Sequence, residues 1–309
     1  MRPYGTFILA GACLCCSFIG RAQVTYTNTT SDDAFLATGS PTNPTGPDLT
    51  AENFGAAGVL YIAPASSPNG EYQSALKFDL SGATNLFDAT YGAHWTISAI
   101  SLVFTANFGT AGSQPDNLMF NPITGGNFVI EWIGNDDWVE GTGKPRAPTM
   151  DGVTYSSIPA LLTNGVAILC TNTYSPPGDN FPVTWPLPLN SNTVNDIMRG
   201  GPVSFRLLAA DNQVSYLFNS HNYGNGNQPL ILVTAVPLLN ILSGYFANGL
   251  FHLAGIGGAN LQYQVQANSD LTTTNWQTLG TATADGAGAI QFDDMAATNF
   301  NQKFYRLSR

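Results

Sequence analysis

Residues 127–134 read NFVIEWIG. Side chains of an extended chain alternate between two faces, so Phe128, Ile130 and Trp132 share one side while Val129, Glu131 and Ile133 share the other. That is the pattern of a β-strand with an apolar face turned to a core. The next stretch, NDDWVEGTGKP (135–145), gathers Asp136, Asp137 and Glu140 around Trp138, in a chain of which only 10% is charged. Paired acids beside an indole are what a glycosidase uses. They are also what an ordinary loop at the end of a strand looks like.

Working outward, short alternating runs recur along the chain: SALKFDLSG (74–82), ISAISLVFTANFG (97–109), PVSFRLLAAD (202–211), VSYLFNS (214–220) and PLILVTAV (229–236). Each has strand length, is rich in β-branched and aromatic residues, and is bounded by turn formers. Helical periodicity is nearly absent, with one short helix expected over NTVNDIMRG (192–200) behind Asn192 as N-cap. The 32 glycines, the 19 prolines and the scarcity of charge disfavour long helices. The fold class is therefore all-β, and many strands at this spacing predict a sandwich or jelly roll. Phe78, Leu80, Ile100, Leu102, Phe128, Ile130, Phe205, Leu207, Leu230 and Leu232 are its expected core, with Trp138 buried at its end.

The N-terminus reads as a secretory signal peptide, residues 1–22: Arg2, an apolar FILAGACLCCSFIG (7–20), and a small-residue cleavage site before Gln23. A lipoprotein cut before Cys13 is the alternative, disfavoured by Ala10 and by the apolar run that continues past it. This places the protein outside the cytoplasm, extracellular or periplasmic. Cys13, Cys15 and Cys16 leave with the signal, so Cys170 remains alone and neither an intrachain disulfide nor a cysteine zinc site is expected. Loss of Arg2 and Arg21 takes the net charge from −10 to −12. Such a surface excludes nucleic acid and anionic lipid as expected partners. No second apolar run has spanning length, so no membrane association is expected after cleavage, and a monomer is expected.

The composition shifts near Pro237. Residues 238–309 read as five to seven strands with hairpin-like turns at ANG and ADGAG, the size of a small immunoglobulin- or fibronectin-like β module. Its expected core is Trp276, Phe292, Phe304 and Tyr305. The larger domain is expected over residues 23–237.

DDAFLATGSP (32–41), SALKFDLS (74–81), ISAISLVF (97–104), Trp138 with Glu140, GVTYSSIP (152–159) and QPLILVTA (228–235) stand in the order of a DNRLRE-type secreted domain. The first domain resembles that family over about residues 30–237, although the six-letter string that names it is absent. The resemblance implies a jelly-roll β-sandwich like those of carbohydrate-binding modules. The last 70 or so residues resemble C-terminal β modules of bacterial secreted proteins.

Against that background the acids around Trp138 read as architecture. Hydrolysis needs two carboxylates held across a sugar, and neighbours such as Asp136 and Asp137 diverge. Asp32 and Asp33, at the start of the first family strand, are the candidate ligands of a structural calcium. His94, His221 and His252 show no metal-ligand spacing. SHNYGNG (220–226) carries residue types that polysaccharide lyases use, with Arg206 the nearest arginine in sequence. Tyr155, Tyr174, Trp185 and Tyr223 are the candidate sugar-stacking rings. The expected function is non-catalytic binding of extracellular polysaccharide, neutral rather than acidic. A structural or adhesive surface protein is the alternative, and a lyase or glycosidase the third reading.

Overall fold

The computed structural model describes residues 23–39, 48–107, 125–174, 182–224, 226–300 and 302–309. The signal-peptide reading lies outside them. No helix among the described residues is long and apolar enough to cross a membrane.

The chain opens with β1 (Val24–Thr29), β2 (Asp32–Ala37), β3 (Val59–Ile62), β4 (Tyr72–Asp79) and β5 (Trp95–Thr105). It continues through β6 (Asn127–Ile133), β7 (Val166–Thr173), β8 (Pro182–Leu187), β9 (Pro202–Ala209), β10 (Tyr216–Asn219) and β11 (Leu230–Pro237). One antiparallel sheet has the order β1-β11-β5-β8, a second the order β2-β4-β9-β6-β7, and β3 and β10 pair as a ribbon. The chain crosses between the two main sheets after β1, β4, β5, β7 and β8, and returns from β9 to β11 by way of β10, which is the winding of a jelly roll. The structure is all-β, as the alternating runs predict.

Between the sheets lie Phe78, Leu80, Ile100, Leu102, Phe128, Ile130, Phe205 and Leu207, all buried as expected. The expectation for β11 needs correcting. Leu230 and Leu232 are half-buried, and Ile231 and Val233 fill the core instead. In a run as uniformly apolar as LILVTAV, alternation cannot say which face turns inward, and a shift of one residue exchanges the faces.

Among the described residues three α-helices interrupt the strands: α1 (Ser81–Tyr91), α2 (Ile158–Leu161) and α3 (Ser191–Met198). The third is the expected short helix, but its cap is Asn190, whose side chain accepts the N–H of Asn192. The first has no counterpart among the sequence expectations. It buries Ala83, Phe87 and Tyr91, four residues apart on one face.

After Pro237, β12 (Asn240–Ala247), β13 (Leu250–Ile256) and β16 (Ala289–Asp294) form one sheet, in the order β12-β13-β16. The strands β14 (Gln262–Asn268), β15 (Gln277–Thr283) and β17 (Phe304–Ser308) form the other, in the order β15-β14-β17. This small immunoglobulin-like sandwich closes over Leu253, Tyr263, Val265, Ala282, Ala284 and Ile290. Phe292 and Tyr305 pack against that core, whereas Trp276 and Phe304 do not belong to it. Trp276 lies half-buried under the Arg306 guanidinium, 4.4 Å from the ring centroid. Backbone bonds Leu238 N–H to His94 O and Ala259 N–H to Tyr91 O, both 2.9 Å, tie this unit to the jelly roll.

Candidate functional site

The loop after β6 holds the answer to its own acids. Trp138 is 8% exposed, its indole N–H donating to Ser204 Oγ at 3.1 Å. Lys77 of β4 reaches under it, donating to the Trp138 carbonyl at 2.5 Å and the Asp136 carbonyl at 3.3 Å. Its ammonium sits 4.7 Å from the ring centroid and pairs with Asp32 at 3.2 Å. Further along, the fully buried Asn53 donates to the carbonyls of Glu140 (2.6 Å) and Val153 (2.8 Å). Its side-chain oxygen accepts the N–H groups of Gly55 (3.1 Å) and Gly143 (3.0 Å). A β-carbon at Gly55, Gly141, Gly143 or Gly152 would run into Asn53 or Glu140, which is why this loop needs glycine there. Asp136 is half-buried, its carboxyl pushed up chiefly by burial, while Asp137 points to solvent. The two acids diverge.

Asp32 and Asp33 do not form a calcium pair. Adjacent on a strand, they face opposite ways, and Asp32 is committed to Lys77. Asp33 points inward, fully buried, and meets two residues from distant loops: Glu140 and His221. Its Oδ2 accepts from the Thr30 hydroxyl at 2.7 Å and from the His221 backbone N–H at 2.8 Å. Its Oδ1 has no hydrogen-bond partner among the described residues. His221 Nδ1 stands 3.3 Å from Glu140 Oε1 and 3.5 Å from Asp33 Oδ2 without a hydrogen bond to either. Asn222 donates to Glu140 Oε1 at 2.8 Å. Burial pushes the Glu140 carboxyl up to about 7 against the pull of His221. The Asp33 carboxylate holds the His221 imidazole above its usual value, opposed by burial and helped by Glu140.

Of the four expected stacking rings, two need correcting. Tyr174 (1% exposed) and Trp185 (6%) belong to an aromatic knot with Phe128, Tyr216 and Phe218 in the jelly-roll core. Their polar sequence neighbours suggest loops, but large rings in a sandwich fill the space between sheets. Tyr155 is half-buried, its hydroxyl donating to Glu71 at 2.6 Å, and burial pushes its phenol up to about 12. Tyr223 is two positions from His221 in the same turn, its backbone N–H donating to the Ser220 carbonyl. Arg206 is spoken for elsewhere: it is buried against Glu131 at 2.5 Å and Gln73 at 3.3 Å, so it offers no cation to a uronate. Cys170 is half-buried, its thiol pushed up by burial.

The DDWVEG loop also borders an open cleft of about 450 Å³, lined by Asn135, Asp137, Trp138, Val139, Met150 and Asp151 among others. Val139 is 56% exposed and Met150 77%. Neither these two nor the wiring residues Lys77 and Asn53 stand out in the sequence reading. A lysine inside the apolar run ALKFDL and four glycines around two acidic loops were the available signals.

No protein-family model and no curated protein matches the chain. Among solved structures it is similar to the β-D-glucuronidase of Dictyoglomus thermophilum, at 8% identity and a TM-score of 0.23, covering 88% of this chain and 38% of that one. The β-glucuronidase of Lactobacillus rhamnosus is similar at 9% identity and a TM-score of 0.21, over 88% and 39%. A GH2 β-galacturonidase from Eisenbergiella tayi follows at 9% identity and a TM-score of 0.20, over 88% and 36%. The chain thus spans well under half the length of these proteins, and at such TM-scores nothing of their activity carries over.

Proposed function

We propose that this is a non-catalytic, secreted glycan-binding protein of the DNRLRE type, whose jelly roll takes neutral polysaccharide in the cleft beside Trp138. The observation that supports this reading is the cleft's mixed lining. Exposed Val139 and Met150 supply an apolar surface for the C–H face of a sugar, and Asn135, Asp137, Asp151 and Ser157 supply a hydrogen-bonding rim. Carboxylates on that rim and a net charge of −10 work against uronates, so neutral chains are favoured. A non-catalytic role fits the placement of the acids: Asp33 is buried beyond reach of a sugar, and Asp136 and Asp137 diverge. The test is affinity electrophoresis and calorimetry against neutral and uronate polysaccharides, with Val139→Ala/Met150→Ala as the cleft variant. Weak binding of a neutral glycan, lowered about fivefold or more in the variant with unchanged melting temperature, supports the reading. No binding to any glycan sinks it.

The adhesive reading has one observation of its own. The C-terminal sandwich leaves Leu242, Tyr245 and Phe246 of β12 exposed, Tyr245 stacking on His252. Pull-down on this module alone would separate the two readings, since glycan binding resides in the jelly roll.

A further inference from the structure

The Asp33–Glu140–His221 cluster lies outside the glycan cleft and has no part in the reading above. Three segments far apart in sequence meet there: the start of β2, the loop after β6 and the turn after β10. One ligand atom from each lies within 4.8 Å of the others. In an all-β protein with only three histidines, a coincidence of this kind needs a cause.

A plain ion pair is a poor cause. An imidazolium between two carboxylates closes to hydrogen-bond length, near ~2.8 Å, yet His221 Nδ1 remains 3.3 and 3.5 Å from the two oxygens and bonds to neither. The Glu140 separation matches the edge of a tetrahedron of ligands, roughly 3.3 Å when each bond is ~2.0 Å; Asp33 Oδ2 is already held by two donors, which leaves Oδ1 as that residue's atom for an ion. A second and independent observation is the orphaned Asp33 Oδ1. The Asp33 side chain is 0% exposed, and a buried carboxylate oxygen without a donor costs energy unless a cation or a water meets it; here two further metal-ligating side chains stand beside it.

We infer that Asp33, Glu140 and His221 form a binding site for a divalent transition-metal ion of the zinc class. The ligand set decides the class. Calcium and magnesium take oxygen alone, in shells of six or more, whereas one imidazole and two carboxylates suit zinc or cobalt. Around the three ligands stands a supporting shell that fixes the two carboxylates. Thr30 and the His221 N–H hold Asp33 Oδ2, and Asn222 holds Glu140 Oε1. Three protein ligands leave one position for an outside oxygen, on the side where Glu140 and His221 are 17% and 24% exposed. A bound ion would staple the loop after β6 to the turn after β10, whatever the neighbouring cleft takes.

The test uses the chain from Gln23 onward, which carries every described strand and only Cys170. After chelator treatment it is titrated with Co²⁺ and Zn²⁺. One equivalent of Co²⁺ should give the visible absorption of a four-coordinate nitrogen–oxygen site, and Zn²⁺ in excess should raise the melting temperature by roughly 5 °C. His221→Gln and Glu140→Gln should each weaken binding by at least about tenfold, while His252→Gln, in the C-terminal sandwich, leaves it unchanged. Ring NMR signals of the three histidines, followed in the wild-type protein, avoid dependence on the variants' folding. Only the His221 ring should respond. Absence of a cobalt spectrum, a response at His94 or His252 instead, or preference for Ca²⁺ over Zn²⁺ would each overturn the inference.

Discussion

Asn53 is the residue on which most of the site's geometry turns. Buried to 0% exposure, it satisfies two carbonyls and two N–H groups of loops that have no sheet to pair with. Truncation leaves four backbone groups unpaired in a dry setting, each worth about 1 kcal/mol or more. Asn53→Ala is therefore expected to lower stability by roughly 3 kcal/mol in urea denaturation, and to loosen the cleft even though Asn53 does not line it. Nothing in the sequence around position 53 announces this role. An asparagine beside Glu52 and Gly55 reads as a turn, because the atoms that need it lie 87 and 100 residues away. Trp138 and Glu140 were legible as a pair worth watching, since an indole and three acids stand out in a charge-poor chain. Their partners were not, and a histidine at 221 said little until the fold set it against Asp33.

At the level of elements, alternation located the strands of the jelly roll but could not orient every one. β6 and β9 carry a polar residue between apolar ones, and their inward faces were plain. β11 is apolar on both sides, and Ile231 and Val233 took the places expected for Leu230 and Leu232. Ile231→Ala should cost about 2–4 kcal/mol, against under about 1 kcal/mol for Leu232→Ala, by urea unfolding. The helix α1 was missed because Gly82, Thr84 and Asn85 are weak helix formers, and its support is the tertiary burial of Phe87 and Tyr91. In the C-terminal sandwich, β16 and β17 are joined by Asp294, which accepts from Lys303 at 2.6 Å and from the Tyr305 hydroxyl at 2.9 Å. Burial pushes its carboxyl up, but these bonds and the Ala296 N–H outweigh that and hold it below the ordinary 3.8. A depressed folded-state value means stabilisation that is complete above 3.8 and lost as pH falls through the lower folded-state value. Melting curves of wild type and Asp294→Asn should differ most at neutral pH and converge in strong acid.

For the whole molecule, the two sandwiches enclose separate cores, one centred on Phe128 and Phe205 and the other on Tyr263 and Val265. Residues 238–309 expressed alone are expected to show a cooperative, β-rich unfolding transition in circular dichroism. A disordered fragment would make that unit an extension of the jelly roll, stabilised through the His94–Leu238 and Tyr91–Ala259 bonds. The sheet order has a consequence in time. In the first sheet β1 pairs, among the described residues, only with β11, and β11 also separates it from β5. Thr25 and Thr234, whose hydroxyls touch at 2.8 Å across that pairing, are 209 residues apart. As the polypeptide emerges from a ribosome, its first strand has no place to go until nearly the whole domain has been made. Non-local closure of this kind is slow, so the nascent domain stays unclosed throughout its synthesis and then completes its first sheet in one late step.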